Sequence, residues 1–317
     1  MKKLIVFMFI LLLLVGCGSE KSEEFTIGVV QWDNHPALDD SYSGLVEGLE
    51  SSGMKDKVKV IHQVANGQAP DADQIIAQFV SDKVDIICAI ATPAAQSALN
   101  AVEGTDIKII FAAVTDPVEA NLLNEGETSN TITGVSDVAP MESHLKLMKE
   151  FLPNMTKVGV LYKTSEANSL IQLKQLEELA PPLGLEIVEK GVNQHADIPF
   201  AARQVSEEVD AFYIITDNLI ATAAGLLVDT AQKKDIPVFM AEDGQFDQGI
   251  FAADSISYSK MGKQAGIMAA QILSGEKQVS ELPFQISTET TLIVSEKMSK
   301  ELGIEIPDSI KERAEIR

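Results

Sequence analysis

Apolar positions along this chain switch repeatedly between a strand period and a helix period. FTIGVV (25–30) is a short β-rich run ending in polar residues. HPALDDSYSGLVEGLESSG follows, with Leu38, Leu45, Val46 and Leu49 at helical spacing and Gly53 as a C-terminal stop. KVKVIHQVA (57–65) alternates as a strand, and DADQIIAQFVSDK (71–83) reads as an amphipathic helix. VDIICAIAT (84–92) and IKIIFAAVTDP (107–117) are continuous apolar runs, the pattern of parallel strands covered on both faces. PAAQSALNAVEG between them is a helix that tolerates Pro93 in its first turn. TITGVSD (131–137) is a later strand.

The alternation then restarts. Helical MESHLKLMKEFLP leads to strand TKVGVLYKT (156–164) and helix SEANSLIQLKQLEELAPPLG. Strands at 185–192, 210–218 and 236–244 follow, separated by helices. Such a chain is expected to be α/β, with three-layer lobes built on parallel sheets. The halves also echo each other: VDIICAIATPAAQSAL matches VDAFYIITDNLIATAA in type, and IKIIFAAVTDP matches IPVFMAEDG. The expected organisation is one lobe from 25–137 plus 254–281 and another from 138–253 plus 282–317. Three crossings between them would form a hinge.

The N-terminus stands apart. Met1, Lys2 and Lys3 precede twelve apolar residues, Leu4 to Val15, a run too short for a comfortable membrane span of about 20 residues. This is the pattern of an export signal over 1–16. Its exit, Leu14-Val15-Gly16-Cys17, resembles the bacterial lipobox, which implies cleavage before Cys17 and lipid on its sulfur. At about 0.8 kcal/mol per buried methylene, two or three acyl chains anchor stably. Residues 17–24 then form a lipidated polar leash. The expected location is outside the cell, tethered to the outer face of the bacterial cytoplasmic membrane.

Charge narrows the partners. The formal net charge is −22, and two positive charges more are lost with Lys2 and Lys3. Such a surface repels nucleic acid and anionic lipid. Cys88, the other cysteine, sits in apolar DIICAIA and reads as a core residue. There is no GxSxG, HExxH, P-loop or GxGxxG, and the four histidines fall on different elements. No enzyme, cofactor or metal site is expected.

Ligands of open parallel sheets bind beyond the carboxyl ends of the strands. This chain places Gln31 and Trp32, Thr92 and Ala94, Thr115 and Asp116, Ser165 with Asn168 and Ser169, Asp217 with Asn218, and Glu242 there. Hydroxyls beside helix starts can seat a carboxylate, a carboxylate can hold an ammonium, and Trp32 offers a flat face. Thr92, Ser165 and Asn218 suit plain helix caps equally well. Together the set suits a zwitterionic amino acid.

IGVVQWDNHPALDDSYSGLVEGL, SDKVDIICAIATPAAQSALNAV, IIFAAVTDPVEANLL, VGVLYKTSEANSLIQL and IITDNLI resemble the substrate-binding lipoproteins of ABC transporters. Characterised members of that family bind tryptophan, tyrosine or phenylalanine. The resemblance implies a type I periplasmic-binding fold, two Rossmann-like lobes closing on a ligand, and a permease and ATPase as partners of a monomeric binding protein. By position it implies that Thr92, Ala94, Ser165, Asn168 and Ser169 receive the carboxylate. Asp217 would face the ammonium near Thr115 or Asp116, and Gln31 and Trp32 would flank the side chain. A surface sensor built on the same fold is the alternative. The tether is directly testable: Cys17→Ser is expected to move the protein from the membrane pellet to the soluble fraction, and a variant that still sediments would overturn the lipid anchor.

Overall fold

A computed structural model describes residues 24–317; Cys17, the export signal and most of the leash lie outside the described residues. Lobe one is built on the strands β1 (Phe25–Gln31), β2 (Val58–Val64), β3 (Ile86–Ile90), β4 (Lys108–Val114) and β5 (Ile132–Ser136). They lie in the order β2-β1-β3-β4-β5, every pair parallel. The helices α1 (Pro36–Ser51), α2 (Ala69–Ser81) and α3 (Thr92–Ala101) connect them. β3 is buried at all of its residues, as its unbroken apolar run predicts.

Lobe two repeats the plan. β6 (Lys157–Lys163), β7 (Glu186–Val192), β8 (Ala211–Ile214), β9 (Val238–Met240) and β10 (Ala252–Ile256) take the order β7-β6-β8-β9-β10. Helices α4 (Met141–Phe151), α5 (Ala167–Leu179), α6 (Ile198–Val205), α7 (Asn218–Thr222) and α8 (Ala224–Gln232) surround that sheet. The same strand order in both lobes puts a topological switch point beside β1 and β3 in one and beside β6 and β8 in the other, where α/β sheets bind ligands.

Three segments cross between the lobes, at slightly different places from those expected. The first follows β5 at Asp137. The second falls after Ile256 rather than before Asp254, because β10 keeps its pairing with β12 (Thr290–Val294) to its last residue. The third falls after β11 (Gln285–Ile286) rather than near 281, because β11 extends the first sheet beside β5. α10 (Glu296–Leu302), α11 (Asp308–Lys311) and β13 (Glu315–Ile316) finish lobe two.

Helix α9 (Tyr258–Leu273) returns the chain to lobe one and packs along α1. Four glycines permit the approach. A Cβ on Gly44 or Gly48 would collide with the carbonyl oxygens of Ser259 and Lys263, and one on Gly262 or Gly266 with those of Ser41 and Leu45. Backbone therefore rests on backbone over two turns. Gly48→Ala is expected to cost about 1–3 kcal/mol, the range for overpacking a tight contact, read as a lower urea midpoint. An unchanged midpoint would show that the helices can part without penalty.

Candidate functional site

The strand ends of both lobes face each other across a narrow cleft whose free volume is about 20 Å3. That is room for about one water, far below the roughly 300–1,000 Å3 of small-molecule sites, so the lobes stand closer here than they would around a ligand. Lobe one contributes His35 and Leu38 from the start of α1, Ala91 and Thr92 after β3, and Ala113 and Thr115 from the end of β4. Lobe two contributes Asn168, Thr216, Asp217, Asn218 and Glu242, with Ala221 behind them. Asp137 and Tyr258 line it from two of the crossings.

Local backbone geometry shapes the lobe-one wall. Ala91 and Ala113 both have positive φ, 85° and 56°, which L-residues rarely adopt. Ala113 is the extra residue of a register shift between β4 and β5, a bulge that turns the chain end toward the cleft. Strain of this kind concentrates where a binding surface is being held in shape. Thr92 then opens α3, whose first N–H groups lack intrahelical acceptors.

Electrostatics is the cleft's distinctive feature. Among the described residues no lysine or arginine lines it, while Asp137, Asp217 and Glu242 do. Burial pushes Asp137 up to about 6, against hydrogen bonds from Tyr258 and Thr115 that favour its ionised form. Burial, then repulsion from Asp137, Asp243 and Asp217, pushes Glu242 up to about 8. Asp137 Oδ1, Glu242 Oε1 and Asn168 Oδ1 are buried acceptors without a protein donor. Burial leaves His35 neutral-leaning, its pKa lowered.

The structure sorts the residues expected from sequence. Thr92, Thr115, Asn168, Asp217, Asn218 and Glu242 line the cavity. Ala94 packs in the lobe-one core and Ala91 takes the place at the wall. Asp116 accepts the N–H groups of Val118 and Glu119 at 3.0 Å each, a turn residue outside the cavity. Ser165 is exposed in the turn before α5, because the helix start rotates Asn168 inward instead. Ser169 lies one layer deeper, its Oγ donating to Asp217 Oδ2 at 2.7 Å.

Asp217 has a different job from the one expected. Its Oδ2 also accepts the Lys163 N–H at 2.6 Å, and its Oδ1 caps α7 through the Ile220 N–H at 2.9 Å. Both oxygens are committed to lobe two. Gln31 is likewise consumed, by the Asp33 carbonyl, Asp39 and His62. Trp32 is buried but does not line the cavity; its indole N–H reaches Glu166 in the opposite lobe. Asp137 went unnoticed, although the strand-end rule applied to TITGVSD points to it. Glu166 falls under the same rule, in the SEANS turn after β6, but its contact with lobe one depends on how the lobes meet, and Tyr258 carried no comparable signal.

A two-lobed α/β protein with an enclosed, carboxylate-rich interlobe cleft belongs to the class of periplasmic-binding proteins of type I. The chain belongs to the ABC transporter substrate binding protein family, whose pattern it matches over residues 26–316. It is 37% identical over 290 residues to a Tyrosine-binding protein of Clostridioides difficile (strain R20291), covering 90% of this chain and 83% of the relative. Among solved structures it resembles a Streptococcus pneumonia ABC domain in complex with L-Trp, with TM-score 0.88, 31% identity and coverage of 93% of this chain and 100% of that one. A ligand-free, open substrate binding protein with adhesive properties from Clostridium difficile gives TM-score 0.70 at 37% identity, covering 92% and 99%. The more similar sequence thus gives the poorer superposition, and the L-Trp complex the better one. This chain's lobes are in the closed arrangement.

The chain is therefore an extracytoplasmic solute-binding protein of the ABC transporter class and not an enzyme. No helix among the described residues is long and apolar enough to cross a membrane.

The closed cleft sets a pH dependence. Asp137 and Glu242 hold protons to higher pH when folded and closed than when unfolded. Their contribution to stability is complete below the ordinary carboxylate range and is lost as pH rises through about 6 and then about 8. The thermal midpoint of ligand-stripped protein is expected to fall between about pH 5 and about pH 9, and Glu242→Gln to flatten the upper part of the fall. A flat wild-type profile would mean that water reaches these acids in the empty protein.

Proposed function

We propose that this protein captures an aromatic amino acid between its lobes and, tethered through lipid on Cys17, presents it to a permease and ATPase for import. The observation that carries the reading is the cleft's unpaired acceptors. Asp137, Glu242 and Asn168 offer oxygen atoms that no protein donor satisfies, in a site without a basic side chain. A buried acceptor left alone is costly, and an ammonium supplies the missing donors together with the missing positive charge. The ammonium partners are Asp137 and Glu242 rather than Asp217.

The rest of an amino acid has counterparts too. The start of α3 with the hydroxyls of Thr92 and Thr115 suits a carboxylate. Leu38, Ala91 and Ala221 offer apolar surface, and Tyr258 and His35 offer rings. The names of the relatives, one tyrosine-binding and one holding L-Trp, support an aromatic side chain. Ligand shifts the lobes toward closure only by its preference for the closed state, which a site assembled from both lobes provides.

Calorimetric titration of residues 25–317, unfolded and refolded to strip carried ligand, tests this with tyrosine, tryptophan, phenylalanine and leucine. One-to-one binding of an aromatic amino acid is expected. Heat with leucine alone would discard the aromatic ligand, and silence with all four would discard the amino-acid reading. Glu242→Gln is expected to weaken binding by about 2–5 kcal/mol, the range for truncating a buried charge pair. Unchanged affinity would remove Glu242 from the ammonium site.

A further inference from the structure

The lobes touch through a side-chain network at the edge of the ligand cavity. The Trp32 Nε1–H donates to Glu166 Oε1 at 3.1 Å, and the Asn218 Nδ2–H donates to Glu166 Oε2 at 2.6 Å. His35 Nε2 meets Asn218 Oδ1 at 3.3 Å. Trp32 and His35 flank the entry to α1 in lobe one; Glu166 and Asn218 begin helices in lobe two. The four form one connected chain in which two lobe-one side chains grip a lobe-two pair.

Two features separate the Trp32–Glu166 pair from the ligand site, although His35 and Asn218 beside it line the cavity. Trp32 and Glu166 do not line the cavity, yet they are only 4% and 2% exposed. The Glu166 carboxylate, moreover, is served by three neutral N–H donors, from Trp32, Asn218 and Asn168, with no cation among its hydrogen-bond partners. A carboxylate needing only fold stability could be satisfied within its own lobe. This one takes a donor 134 positions away, on the opposite lobe.

We infer that Trp32 and Glu166 form an interlobe clasp that holds the closed state and sets the lifetime of the bound ligand without touching it. The kinetic part rests on the amino-acid reading above; the clasp itself does not. Opening must separate indole from carboxylate, whereas a ligand's first encounter with the open cleft does not involve them. The clasp therefore slows release and leaves association nearly unchanged, the usual place for affinity differences among related complexes.

The chain has a single tryptophan, so 15N-labelled protein gives one indole N–H resonance, a direct report on the clasp. Glu166→Gln keeps one acceptor but turns an N–H toward Asn218 Nδ2, whose own Oδ1 is engaged by His35. In protein saturated with L-tyrosine, E166Q is expected to shift the indole resonance and speed its solvent exchange. Release of labelled L-tyrosine is expected to accelerate about tenfold, the ratio one net hydrogen bond supplies, with association within about twofold. Trp32→Phe should reproduce the faster release. An indole signal and release rate unmoved by E166Q would overturn the clasp, as would equal changes in association and release. If no amino acid binds, ligand-free spectra decide: a different indole signal in E166Q keeps the clasp and discards only the ligand, while identical spectra discard the clasp. Matching thermal midpoints of E166Q and wild type exclude a folding defect as the cause of any change.

Discussion

Everything in the cleft follows from bringing carboxylates together away from water without a basic residue to meet them. Asp137 and Glu242 are 3% and 2% exposed, and each keeps an oxygen with no donor. The closed cleft is therefore electrostatically incomplete by construction. It is completed either by protons, which is why both groups are displaced upward, or by a ligand that brings positive charge and N–H donors. Asp217 is the instructive contrast: equally buried, it is satisfied by Lys163, Ser169 and Ile220 and so belongs to the scaffold.

The hinge lies in the same arrangement. Asp137 is the first residue beyond β5 and Tyr258 the first of α9, so each sits at a crossing. The Tyr258 hydroxyl donates to Asp137 Oδ2 at 3.0 Å, tying two crossings together at the cavity wall. The glycine contact of α9 with α1 fixes one end of that crossing to lobe one. A group bound at Asp137 thus acts where the lobes pivot, and the pivot is anchored by packed backbone.

Contacts between the lobes divide into two kinds. The unpaired oxygens of the cavity wall wait for a guest, whereas Trp32 and Glu166, off the wall, satisfy each other directly from opposite lobes. Thr115 and Thr216 add a hydroxyl contact across the cleft at 3.3 Å. The first kind gives selectivity and the second gives closure, so the affinity of such a protein can be tuned at residues that never meet the ligand.

The sequence by itself determined the repeated strand–helix alternation, the doubling into two similar lobes, and the strand ends at which a ligand would sit. Those features are local: the period of apolar positions reports which face of an element is buried, and parallel strands end in polar turns. Hence Thr92, Thr115, Asn168, Asn218 and Glu242 were legible as wall residues. The tertiary structure alone decided which of neighbouring polar groups turns inward. It placed Asn168 at the wall and left Ser165 in solvent, because the first turn of α5 sets their directions. It also spent the oxygens of Asp217 on its own lobe, brought in Asp137 and Tyr258 from the crossings, and moved Trp32 from ligand wall to clasp. The Asp217 contacts are settled by packing within lobe two, whereas the placements of Asp137, Tyr258 and Trp32 rest on contacts between residues more than a hundred positions apart, which no local periodicity encodes.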